Sequence, residues 1–207
     1  MQIKLNEAAM DGFSLEKLKS IGSFKNRYNY CVQMLGKPIG RGSSRVVFQI
    51  DDEKVLKLAF NRKGVAQNEA ESDWGMQNYG VVPTLYSVDD DYLYIITEFV
   101  LPAKKEDFQK VLGITFEDFC WFVDMVYYQY ARRQPQLSYE AWDKFNEYCE
   151  NSEWLNQLNH MMSDYQLPSG DFKRLANIGL CQRNGEAEMV ILDNGFNDDV
   201  ASQYYSR

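Results

Sequence analysis

The rhythm of apolar and polar positions changes twice along this chain. Residues 14–21 read as a short helix and 23–35 as a second, with Ser23 as N-cap, Gly36 as C-terminal stop and Pro38 just beyond. From residue 38 the pattern turns β-like. Residues 38–50 set a glycine turn between two extended stretches, 51–54 form a polar turn, and 55–59 read as a third strand. Residues 64–78 carry helix formers, including the run 66–71. Residues 81–88 and 92–100 are two further strands around the acidic turn Asp89-Asp90-Asp91. This half of the chain is therefore β-β-β-α-β-β.

Beyond Pro102 the period becomes helical. Thr115 can cap a helix running to about Arg132, with Phe116, Phe119, Cys120, Val123, Val126, Tyr127 and Tyr130 at helical spacing. Ser138 opens another through Tyr148. Ser152 opens a third, whose stripe Trp154, Leu155, Leu158, Met161, Met162 and Tyr165 is the pattern of a core-facing surface. A β-hairpin closes the series, with strands at 178–181 and 188–192 and a turn at Arg183-Asn184-Gly185. No internal repeat or low-complexity tract interrupts it.

Composition narrows the function classes. Fourteen tyrosines, twelve phenylalanines and four tryptophans in 207 residues supply ample apolar area for a core. A net charge of −8 and the lack of a basic run argue against nucleic-acid binding, which needs a positive surface. Residues 1–12 hold no apolar run of the kind that heads a secretory leader, and no stretch approaches the length of a membrane span. No membrane partner is expected, and the expected compartment is the cytoplasm. The four cysteines (Cys31, Cys120, Cys149, Cys181) are scattered with no close pair, which reads as reduced, partly buried thiols. With His160 as the single histidine, neither a zinc site nor a Ser-His-Asp or Cys-His hydrolase is expected.

Three elements carry candidate chemistry. Gly40 and Gly42 stand two apart at a strand–strand turn, where backbone N–H groups can approach a phosphate closely, although the same string suits an ordinary hairpin. Lys57 lies between Leu56 and Leu58, ten residues after Val47. An ammonium in an apolar strand needs a carboxylate partner unless the strand is a solvent-facing edge, and the following helix offers Glu69 and Glu71. Far along the chain, Asp171 and Asn177 precede an apolar strand, 190–192, that ends at Asp193. Asp and Asn at successive strand ends are hard oxygen ligands suited to Mg²⁺ carrying phosphate oxygens. Taken alone, Asp193-Asn194-Gly195 is also a good type I′ turn.

From about residue 38 to residue 196 the order of these motifs resembles the protein-kinase fold, and more narrowly the short kinase-like proteins of bacteriophages. Gly40-x-Gly42-x-x-Arg45-x-Val47 is similar to the glycine-rich loop, with Arg45 at the third glycine. Val55-Leu56-Lys57 is similar to the strand whose lysine holds the α/β phosphates. The resemblance implies an α+β fold: a five-stranded antiparallel N-lobe sheet with one helix (38–101) and a reduced, mostly helical C-lobe (102–207), with 1–37 as an N-terminal helical extension. It makes Glu69 the partner of Lys57, with Glu71 the alternative. Thr97 falls at the gatekeeper, Glu98, Phe99 and Val100 at the hinge that meets adenine, and Ile39 and Val47 over the base. Asp171 matches the catalytic aspartate, and Asn177 and Asp193 the Mg²⁺ ligands.

The implied function is an ATP- and Mg²⁺-binding phosphotransferase acting on a host or phage protein hydroxyl, in the host cytoplasm if phage-encoded. The sequence departs from the family in four places. Ser169-Gly170 replaces the His-Arg before the catalytic aspartate, closer to aminoglycoside phosphotransferases. Asp171 and Asn177 are six apart where five is usual. The Asp-Phe-Gly motif becomes Asp193-Asn194-Gly195. Only eleven residues follow Phe196, too few for a peptide-docking platform. These departures keep three alternatives open: a catalytically inactive pseudokinase serving as a protein-binding or regulatory module, transfer of AMP rather than phosphate, and an assembly protein on an inherited fold.

Overall fold

The computed structural model describes residues 12–131, 135–183 and 185–192, which divide into two compact units. Of the described residues, the first comprises 12–72 together with Thr84–Phe99. It begins with α1 (Leu15–Ser20) and α2 (Phe24–Leu35), each started by a serine whose hydroxyl accepts a backbone N–H of the first turn. Gly36 stops α2 at φ 85°, a left-handed conformation that favours glycine.

The sheet of this unit contains β1 (Gly40–Arg41), β2 (Arg45–Gln49), β3 (Lys54–Ala59), β4 (Leu85–Val88) and β5 (Tyr94–Glu98), with α3 (Arg62–Glu71) following β3. All neighbours are antiparallel, in the order β1-β2-β3-β5-β4. The expected five-stranded antiparallel sheet is therefore present.

The register sorts side chains between the two faces. Val46 pairs with Leu58 and Leu58 with Tyr94; Phe48 pairs with Leu56 and Leu56 with Ile96. These six residues form one core with Leu18, Tyr30 and Cys31 from α1 and α2. The alternate residues Val47, Lys57 and Ile95 pair across the other face, and α3 packs on β3 and β5. Residues 12–36, expected as a separate extension, are thus a structural layer of this unit. Coverage from both sides explains why β3 is buried without a break from Val55 to Ala59. Truncating the fully buried Phe48 to alanine would cost about 3–5 kcal/mol.

The second unit comprises Asp73–Pro83 and the described residues from Val100 to Leu192. Its helices are α4 (Trp74–Gln77), α5 (Lys105–Val111), α6 (Phe116–Tyr130), α7 (Tyr139–Asn151), α8 (Glu153–Asp164) and α9 (Ser169–Phe172). Thr115, Ser138 and Ser152 cap α6, α7 and α8 as their sequence positions indicate. Phe108, Phe119, Phe122, Val126, Leu155 and Leu158 lie in its core. A second sheet of β6 (Leu101–Pro102), β7 (Ile178–Arg183) and β8 (Glu186–Ile191) is antiparallel in that order. A Cβ on Gly179 would overlap Val100 and come within 2.9 Å of the Leu101 carbonyl oxygen, so β6 lies against β7 only because that residue is glycine.

Two boundaries move from their expected places. The helix read over 64–78 breaks after Glu71, and Asp73 accepts from the Gly75 N–H at 2.7 Å to start α4. Residues 81–83, read as the start of a strand, belong to the helical unit. Val81 and Val82 are buried in its core, and the Arg183 guanidinium donates to the carbonyls of Gly80 and Val82 at 2.7 and 2.8 Å. Among the described residues no helix is long and apolar enough to cross a membrane.

Candidate functional site

Lys57 stands in the middle of β3 with 7 % of its surface exposed, between β2 and β5. A buried ammonium is tolerated only with a partner, and among the described residues Glu71 of α3 provides one, its Oε1 accepting from Lys57 Nζ. Glu69, which the resemblance placed first with Glu71 as the alternative, is exposed. Helical geometry is the reason: Gly64, Gln67, Asn68 and Glu71 are the buried residues of α3, at i, i+3, i+4 and i+7. Glu69 lies two positions, about 200°, away from Glu71 around that helix. That spacing was visible in the sequence, but the face is polar, so a search for apolar periodicity passes over it.

Glu71 has a second basic partner that the sequence did not announce. Arg45, at the start of β2, donates through Nη1 to Glu71 Oε2 and to Asn68 Oδ1, the latter at 3.3 Å. Burial alone would push the Glu71 carboxyl up, but the charges and hydrogen bonds of Arg45 and Lys57 hold it below the ordinary carboxylate value. Asn68 in turn donates to the Tyr92 carbonyl at 2.9 Å. Ser44 donates its hydroxyl proton to Gln67.

The glycine hairpin is fastened to the same helix. Gly42 N–H donates to the Arg45 carbonyl at 2.9 Å, closing a turn with Ser43 and Ser44 at its tip. Asn61 Nδ2 donates to the Ser43 carbonyl at 3.2 Å, and Phe60 N–H to the Ser44 carbonyl at 3.0 Å. A Cβ on Gly64 would overlap that Ser44 carbonyl oxygen, so the hairpin tip and the first turn of α3 are in direct backbone contact. Gly40 and Gly42 differ from Gly64: neither has positive φ, and a Cβ would meet the chain only at 3.6 Å (Val47) or 3.8 Å (Arg45 carbonyl). The fold itself does not require glycine at either position.

Other expected positions in this unit fall as follows. Ile39 is exposed, and its N–H donates to the Val47 carbonyl at 2.9 Å. Thr97 is 2 % exposed, and its hydroxyl has no hydrogen-bond partner. Glu98 accepts from the N–H and hydroxyl of Thr84 at 3.0 and 3.2 Å. The N–H groups of Glu98 and Phe99 are bonded to the carbonyls of Thr84 and Glu53. The division between the units falls between Phe99 and Val100, inside the stretch expected as a hinge.

In the helical unit, Asp171 lies on α9, a four-residue helix anchored by the buried Phe172. Its carboxylate pairs with Arg174 at 3.2 Å, and a quarter of its side chain is exposed (23 %). Asn177 ends a 3-10 turn, Leu175–Asn177, and its Nδ2 donates to the Asp171 carbonyl at 3.1 Å. The six-residue spacing therefore leaves Asn177 within hydrogen-bond reach of Asp171, through the main-chain carbonyl. Leu192 N–H donates to the Asn177 carbonyl at 2.8 Å. Asp193, the residue after it, lies outside the described residues, as do Asn194 and Gly195. Among the described residues no group of three His, Cys, Asp or Glu side chains gathers as a metal site. All four cysteines are free thiols, and burial pushes Cys31 up to about 12, which leaves it unreactive.

Comparison with protein-family models, with curated proteins and with solved structures finds no match to this chain.

Proposed function

We propose that this chain binds ATP with Mg²⁺ in the manner of a protein kinase and transfers phosphate to a hydroxyl of another protein. The observation that carries the reading is the buried pair of Lys57 and Glu71, formed between the third strand and the helix that follows it. A free scaffold gains little from such a pair, because its desolvation offsets most of its attraction. An ammonium held ready for phosphate oxygens gives it a use. Further support comes from Gly40 and Gly42, which the fold does not require, from the unpartnered Thr97 hydroxyl, and from the bond between Asn177 and the Asp171 carbonyl.

In this reading Lys57 and the backbone at Gly40 and Gly42 hold phosphate oxygens, while Ile39, Val47 and the 98–100 stretch receive the base. Asn177 and Asp193 are the oxygen donors for Mg²⁺, which supplies charge neutralisation when bound. Asp171 accepts the proton of the acceptor hydroxyl.

A second reading, a non-catalytic binding module, is favoured by two observations. Arg174 occupies the Asp171 carboxylate, and the Gly42 N–H is consumed within its own turn. Thermal unfolding with and without ATP and Mg²⁺ tests both, on the native chain and on Lys57→Ala and Asp193→Ala. Ligand at a hundredfold excess over Kd adds about 2.7 kcal/mol to the native chain and less to either variant. No shift for the native chain sinks both nucleotide readings. A shift with no labelled phosphate on any acceptor selects the binding module, and label entering as AMP selects nucleotidyl transfer.

A further inference from the structure

Glu71 is a carboxylate divided between two strands: Oε1 holds Lys57 of β3, and Oε2 holds Arg45 of β2. Arg45 stands where a glycine loop would carry its third glycine, a position that needs no charge for the turn itself. Its guanidinium is nonetheless buried, and Asn68 receives a second bond from it. A lone lysine on a carboxylate can rotate it, since the ammonium is a compact charge with freely turning donors. A second, planar cation on the other oxygen removes that freedom.

Resting on the nucleotide reading above, we infer that Arg45 is a positioning residue: by holding Oε2 of Glu71 it keeps Oε1 on Lys57 and so fixes the lysine ammonium where phosphate oxygens meet it. The hairpin is tied to α3 by the same device, together with Ser44 on Gln67 and Asn61 on Ser43. The glycine hairpin, α3 and Lys57 therefore form a preassembled unit. Ligand binding does not have to bring the helix to the strand.

Two measurements test this, one without nucleotide. The first is the acetylation rate of Lys57 by acetic anhydride, read by peptide mass spectrometry, with exposed Lys105 as reference. The thiol of Cys31, fully buried on the opposite sheet face, reports general loosening of the unit. Arg45→Met should speed Lys57 acetylation several-fold with Cys31 unchanged, and Arg45→Lys should restore most of the protection. An unchanged Lys57 rate, or a Cys31 rate that rises in step with it, overturns the inference.

The second measurement is ATP affinity. Loss of a charge-assisted contact of this kind weakens binding about tenfold in Arg45→Met. Adding Arg45→Met to Glu71→Gln should weaken it no further, because Arg45 acts through Glu71. Effects that multiply overturn the positioning role. If the native chain fails to bind ATP, the function proposed above falls, while the acetylation result still decides whether Arg45 holds Lys57 through Glu71.

Discussion

Two carboxylates, Glu71 and Asp171, each pair with an arginine, and the environments of the two pairs are opposite. Glu71 is 4 % exposed, with Arg45 at 10 % and Lys57 at 8 %. Asp171 is 23 % exposed, and its partner Arg174 is 71 % exposed. Burial strips water from the first group, so its charges are tightly coupled and costly to separate. Water and salt screen the second, which can open at little cost. A fixed ammonium suits the first setting. In the proposed function Asp171 meets an incoming hydroxyl, which suits the second setting, where an arginine can leave.

The largest break in this comparison comes from Glu71→Ala, which leaves two buried cations without their shared anion. It should cost about 3–5 kcal/mol in urea unfolding, and a loss below 1 kcal/mol would show that the cluster is not coupled. A pH series sharpens the same point. The Glu71 carboxyl is depressed in the folded chain, so its contribution is fully present above its ordinary value of 4.5. That contribution disappears as pH falls through the lower folded value. The stability gap between the native chain and Glu71→Gln should therefore narrow in acid, and a gap constant from pH 7 to pH 3 contradicts this. The smallest effect belongs to Arg174→Ala, about 0–1 kcal/mol and vanishing at high salt in the same unfolding assay.

Much of the local structure was legible in the chain. Ser23, Thr115, Ser138 and Ser152 start helices because a hydroxyl meets an N–H three residues away, a contact decided within one turn. The stripe of Leu155, Leu158, Met161 and Met162 faces the core as its spacing indicates. Short elements escaped. α9 has four residues, too few for any period, and its position comes from the burial of Phe172. The segment 81–83 reads as a strand by its valines, yet Arg183, about a hundred positions later in the chain, donates to the carbonyls of Gly80 and Val82, and the segment belongs to the other unit.

By itself the sequence determined the caps of the longer helices, the presence of five strands in the first half, and the set of polar residues placed at strand ends and turns. The tertiary structure alone decided which carboxylate meets Lys57, that Arg45 shares it, that Asn177 reaches the Asp171 carbonyl, and that residues 12–36 cover the sheet. The division has one physical cause. Caps and periodicity are energies of neighbours along the chain. The choice of Glu71 over Glu69 depends on which face of α3 packs against the sheet, a pairing the local chain does not encode.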